Sequence, residues 1–149
     1  MAALLFPSMV RDDILEQHAD LRARLDELAE EVGLWRQREP GSGDRLRALG
    51  RDLCARFNAH LEYEDEELVP VLSALDSWGP ERVRDLRVAH TRQRRKLATL
   101  WTRLDYEPDP DELERALADL AEDMSADMES EEEGLLSQPK MSAPLLECA

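Results

Sequence analysis

Apolar residues recur along this chain at alternating steps of four and three, the rhythm of helices packed side by side in a bundle. The first such stripe runs through Ile14, His18, Leu21, Leu25, Leu28 and Val32, predicting a helix from about Val10 to Trp35. A second, Leu46, Leu49, Leu53, Phe57, His60, Glu64 and Leu68, predicts a helix from about Asp44 to Leu75, with a kink or break near Val69 where Pro70 interrupts it. The third reads Val83, Leu86, His90, Gln93, Leu97, Leu100 and Leu104 over Glu81 to Leu104. The fourth reads Leu113, Leu117, Leu120, Met124, Asp127, Glu131 and Leu135 over Asp111 to Leu136.

Turn-forming residues separate the stripes: Glu39-Pro-Gly-Ser-Gly43, Asp76-Ser-Trp-Gly-Pro80 and Glu107-Pro-Asp-Pro110. Long helices on short connections favour antiparallel neighbours, so the expected architecture is all-α, an up-down-up-down four-helix bundle. Residues 1–9 are read as an N-terminal arm, 10–137 as the bundle and 138–149 as a tail without periodicity. The third helix is rich in arginine and the fourth in acid, which predicts that they lie side by side with paired rims.

Composition narrows the function. Charged residues make up 36% and aromatic residues 5% of the 149 positions, as suits helices with solvated outer faces. A net charge of −15 makes nucleic acid and anionic membrane poor partners. No run approaches the roughly 20 apolar residues of a membrane span, and the short apolar N-terminus lacks a basic flank. A cytoplasmic location is the resulting expectation. Cys54 and Cys148 lie far apart and form no C-x-x-C, so reduced thiols are expected.

All three histidines of the chain fall on the apolar stripes. A stripe takes about two positions in seven, so chance would place all three there about one time in forty. A single histidine so placed is adequately explained by a hydrogen bond to a backbone carbonyl. Carboxylates are harder to explain, because a charged acid on a buried stripe costs several kcal/mol unless it is paired or holds a metal. Glu64 follows His60 by one turn, and Glu131 follows Asp127 by the same spacing. His18, His60, Glu64, His90, Asp127 and Glu131 are therefore the candidate metal ligands. Six ligands exceed what one zinc accepts and point to two ions. Mixed imidazole and carboxylate ligation suits iron or manganese, with zinc as a substitute. The competing reading takes Asp127 and Glu131 as surface acids in a solvated run from Asp123 to Glu133. Glu62, Asp65, Glu66 and Glu67 read as solvent-facing.

The segment Phe57-Asn-Ala-His60-Leu-Glu-Tyr-Glu64-Asp-Glu-Glu-Leu-Val-Pro70 resembles the second-helix motif of hemerythrin-like (HHE cation-binding) domains. His18, His90 and the Asp127 to Leu136 segment resemble the motifs of the other three helices by order and spacing. The resemblance covers about residues 10 to 137. It implies a non-haem di-iron centre, carboxylate-bridged, in a protein that binds or senses O2 or a related small oxidant. Carried over by position, His18, His60, Glu64, His90 and Glu131 are the expected ligands, with Glu132 as an alternative to Glu131. Asp127 stands where the family has a histidine, and Arg94 where its oxygen carriers have another. Both departures argue against simple O2 transport. The reading is of a metal-binding or sensing protein rather than a dedicated enzyme. Its alternatives are a di-metal oxidase or peroxidase, and a bundle that has lost its metal and acts as an interaction module. The protein partner is unknown.

Overall fold

The computed structural model describes residues 6–106 and 110–142. Among these there is no strand. Helix α1 spans Pro7–Arg36, α2 Ser42–Tyr63, α3 Val69–Leu75, α4 Gly79–Asp105 and α5 Pro110–Ser130. A π-helical turn, Glu64–Leu68, joins α2 to α3, and a second, Glu131–Leu135, extends α5. α1 packs on α2, α2 on α4, α4 on α5 and α5 back on α1, closing the four-helix bundle that the stripes predict.

The interruption expected near Pro70 is the first π turn. Proline has no N–H to offer an α-helical acceptor, and just before it the Val69 N–H reaches back five residues to the Glu64 carbonyl. The Leu136 N–H makes the same five-residue reach to Glu131, at 2.8 Å. Two glycines set the connections. Gly41, with φ of 77°, occupies the left-handed region before α2. At Gly79 a Cβ would lie 2.3 Å from the Leu72 carbonyl oxygen, so the turn from α3 into α4 closes only without a side chain.

Every apolar position of the first three stripes is buried except Leu49, which is partly buried. The fourth stripe keeps its register through Met124 and then departs from the expected one. Met128 is buried where Asp127 was expected, and the π turn then carries Leu136 rather than Leu135 fully inside. Predicted charge pairing between α4 and α5 is present: Arg92 meets Asp127, and Lys96 meets Asp119 and Asp123. Beyond the bundle, a short 3-10 turn at Pro139–Met141 buries Met141 against α1.

The apolar core is in two parts. One holds Leu21, Leu28, Leu53, Phe57, Leu61, Leu97 and Met128 among others, and the other Val10, Ile14, Leu68, Leu72, Leu86 and Leu136. Between the two parts stand polar residues from α1, from the π turn after α2, from α4 and from the π turn after α5: His18, Glu64, His90 and Glu131. No helix among the described residues is long and apolar enough to cross a membrane. Part of the third break, residues 107–109, and Cys148 lie outside the described residues.

Candidate metal centre

The polar layer gathers His18 from α1, His60 from α2, Glu64 and Glu131 from the two π turns, and His90 from α4. All five are buried. His18, His60 and Glu131 each offer an atom within 4.8 Å of the others, and so do Glu64, His90 and Glu131. Glu131 belongs to both groups. The His18 and His60 rings meet edge to face, with centroids 4.9 Å apart.

The outer nitrogens of the three imidazoles are all engaged. His18 Nδ1 lies 3.0 Å from Glu132 Oε2, and His90 Nδ1 2.8 Å from Asp65 Oδ1. An ionised carboxylate can only accept, so in both pairs the Nδ1–H donates. His60 Nδ1 donates to Gln17 Oε1 at 2.7 Å. A neutral ring so held turns its Nε2 lone pair towards the layer, the form a metal requires. Arginines hold the two outer carboxylates in turn. Arg22 donates to both Glu132 oxygens at 3.0 and 2.8 Å, and Arg94 to Asp65 Oδ2 at 2.6 Å.

The inner atoms are the reverse case. His60 Nε2 is 2.9 Å and His90 Nε2 3.3 Å from Glu64 Oε1, and His18 Nε2 is 3.2 Å from Glu131 Oε2. Close as they are, His18 Nε2, His90 Nε2, both Glu64 oxygens and Glu131 Oε2 are buried without a hydrogen-bond partner. Burial works to raise the Glu64 carboxyl, but His60 and His90 prevail and hold it below the usual carboxylate range. Glu131 is pushed well above that range by burial and then by the charge of Glu64. Two acids so close cannot both ionise without cost. A divalent cation would relieve both conditions, so this donor set fits a metal.

Five of the six residues singled out in the sequence come together here, and Asp127 does not join them. It is half-buried on the rim of α5, where Arg92 Nη2 reaches its two oxygens at 2.7 and 2.8 Å and Gln93 Nε2 donates at 2.6 Å. Arg94, which stands where the family's oxygen carriers have a further histidine, lies outside on Asp65. Asp65, expected from the sequence to face solvent, is half-buried and supports His90. Gln17 and Arg22 were not anticipated. Their only signal in the sequence is a position flanking a stripe histidine, which many surface residues share.

Comparison with curated proteins and with solved structures finds no significant match. The family model of the Hemerythrin HHE cation binding domain, however, matches residues 9–138, nearly the whole chain. With that match and a buried site of three imidazoles and two carboxylates at the layer where the family's motifs fall, the chain belongs to the hemerythrin family of HHE cation-binding domains.

Proposed function

We propose that the protein is a non-haem di-iron protein that binds or senses O2 or a related small oxidant. The observation that carries this reading is the set of buried inner atoms left without hydrogen bonds, contributed by all four long helices in two overlapping groups. Sharing of Glu131 between the groups suits a carboxylate bridge between two ions. Imidazole mixed with carboxylate favours iron or manganese over calcium or magnesium. When bound, such a pair supplies reversible one-electron chemistry at a position sealed from bulk solvent.

The chain's own residues do the rest. Glu132, Asp65 and Gln17 fix the ring orientation and proton position of the three imidazoles, and the apolar layers above and below keep water out. Three nitrogens against two carboxylates is a poorer nitrogen set than six histidine-dominated ligands would make. That favours the ferric state, and with it sensing or oxidase-like turnover over O2 transport.

The test is metal identity and stoichiometry on protein purified from iron-supplemented cells, with near-ultraviolet absorbance recorded before and after deoxygenation. About two irons per chain, and a spectrum that responds to O2, support the proposal. Fewer than about one metal per chain, with thermal unfolding unchanged by chelator, would sink it in favour of a bundle acting as an interaction module. Full metal with rapid irreversible oxidation would favour the oxidase reading.

A further inference from the structure

Three of the five metal-facing residues are sealed: His18 and Glu64 are 0% exposed and His90 1%. Only Glu131, at 7%, and His60, at 5%, touch the outside, and each lines one cleft. We propose that divalent cations reach the centre through the cleft between α4 and α5, with Glu131 as the residue that receives them. The inference rests on the metal-centre reading above.

The cleft between α1 and α2 is the larger, about 470 Å3, but it meets the wrong side of its histidine. Gln17 lines it and is bonded to His60 Nδ1, the ring atom turned away from the centre. Two of its three acids are engaged, while the third, Glu16, is exposed and has no ion-pair partner among the described residues. Asp13 accepts from the Tyr63 hydroxyl at 2.6 Å, and Asp20 pairs with Arg56.

The cleft between α4 and α5, about 220 Å3, is lined by Ala89, Ser130, Glu131 and Gly134, with Asp85 and Asp127 beside them. At about 30 Å3 per water it has room for a small hydrated ion. Glu131 spans from this cleft to the centre: it lines the cleft, while its Oε2 is sealed and unpartnered 3.2 Å from His18 Nε2. Charge along the walls favours a cation. Arg82, the one cation lining the cleft, is neutralised by Asp76, and Asp127 by Arg92. Asp85 is exposed and has no ion-pair partner among the described residues, so the unmatched charge at the mouth is negative. The walls are also small where an ion must pass, since Ala89 offers one methyl and a Cβ at Gly134 would meet nothing within 4 Å.

Chelator-treated full-length protein can be mixed with Co2+ in a stopped flow, with uptake followed by visible absorbance and final stoichiometry by elemental analysis. Asp85→Lys should slow uptake by about tenfold, less at high salt, because it reverses the charge that steers the ion. Gly134→Leu, which adds bulk at a cleft-lining position where a Cβ meets nothing within 4 Å, should slow it by a similar factor. Ala59→Leu in the other cleft should leave the rate unchanged. All three should reach the wild-type stoichiometry. Slowing by Ala59→Leu alone, or by none of the variants, overturns the route while leaving the metal centre standing. Absence of Co2+ uptake by the wild-type protein overturns the metal-centre reading and the route together. Asp85 is an exposed helical position, so its variant keeps the test decisive should Gly134→Leu fold poorly.

Discussion

Glu64 and Glu131 face each other across the bundle, each the first residue of a five-residue π-helical turn, with carboxylate oxygens within 4.8 Å. A π turn adds one residue to a helical repeat and re-aims the side chains that follow, and such turns gather at functional sites. Here they let both helices hand a carboxylate to the centre and then resume an apolar stripe, at Leu68 and at Leu136. Without metal the two acids are an unfavourable pair, one titrating low and the other high for the reasons given above.

Replacing one of the pair with an apolar residue should therefore stabilise the metal-free protein. Glu131→Leu is expected to raise its unfolding free energy by about 1–3 kcal/mol in chelator, the cost of a buried polar group left without a partner. The same variant should take up little metal, since Glu131 belongs to both ligand groups. Urea unfolding in chelator and in excess metal measures both. A chelated variant less stable than the chelated wild type would show that the acids are not in conflict.

The outer carboxylates act on the metal through the imidazoles. Asp65→Ala and Glu132→Ala should each lower metal affinity about 10–100-fold, the usual effect of losing the partner of a ligating histidine. Asp65→Asn should restore part of the loss, because an amide oxygen still accepts the His90 Nδ1–H. A purely structural role predicts no such rescue. Imidazole nitrogen chemical shifts in the metal-free protein report the proton position independently: His90 should lose its fixed Nδ1–H form in Asp65→Ala and keep it in Asp65→Asn.

The helices and most of the site were legible in the sequence because they rest on periodicity and side-chain chemistry. His18, His60 and His90 lie where a three-four repeat puts them, and Glu64 follows from His60 by one helical turn. Asp127 stands off the layer, because the register of an acid-rich helix is weakly marked in sequence. Met124 and Met128 are as good a pair of inward positions as Met124 and Asp127, and only the packing against Arg92 and Gln93 decides between them. The π turns left no trace of their own in the residue pattern beyond Pro70, and the second has no proline. The bonds that Asp65, Glu132 and Gln17 make to the imidazoles were hidden for a different reason: a hydrogen bond between side chains on different helices depends on helix rotation, which no single stripe contains.

Cys54 provides a pH dependence separate from the centre. It is buried in the apolar core, with its Sγ 3.7 Å from the Leu97 carbonyl oxygen, and burial pushes its thiol up to about 11. The folded protein thus keeps the proton over a range in which the unfolded chain, near 9.0, has released it. Because the native state binds more protons there, stability should fall as pH rises from about 9 to 11 and be unaffected by this group below that window. Cys54→Ala should start less stable, through the small cavity it leaves, but show a shallower decline over the same range. Denaturant unfolding at several pH values gives the two slopes, and parallel slopes would exclude the thiol as their source.

Asp127→Ala gives the sharpest separation between what the spacing of the fourth helix suggests and what its packing does. The Asp127 carboxylate is occupied by Arg92 and Gln93 on the rim, outside both ligand groups. Its removal should leave metal stoichiometry unchanged and cost about 1 kcal/mol of stability, the range of a partly exposed ion pair and its hydrogen bond. Glu131→Ala, four residues on, should lose metal. Elemental analysis of the two variants prepared side by side decides the matter. Loss of one metal in Asp127→Ala would mean that the carboxylate leaves Arg92 and turns inward when the centre fills, which would make it a ligand of the loaded protein after all.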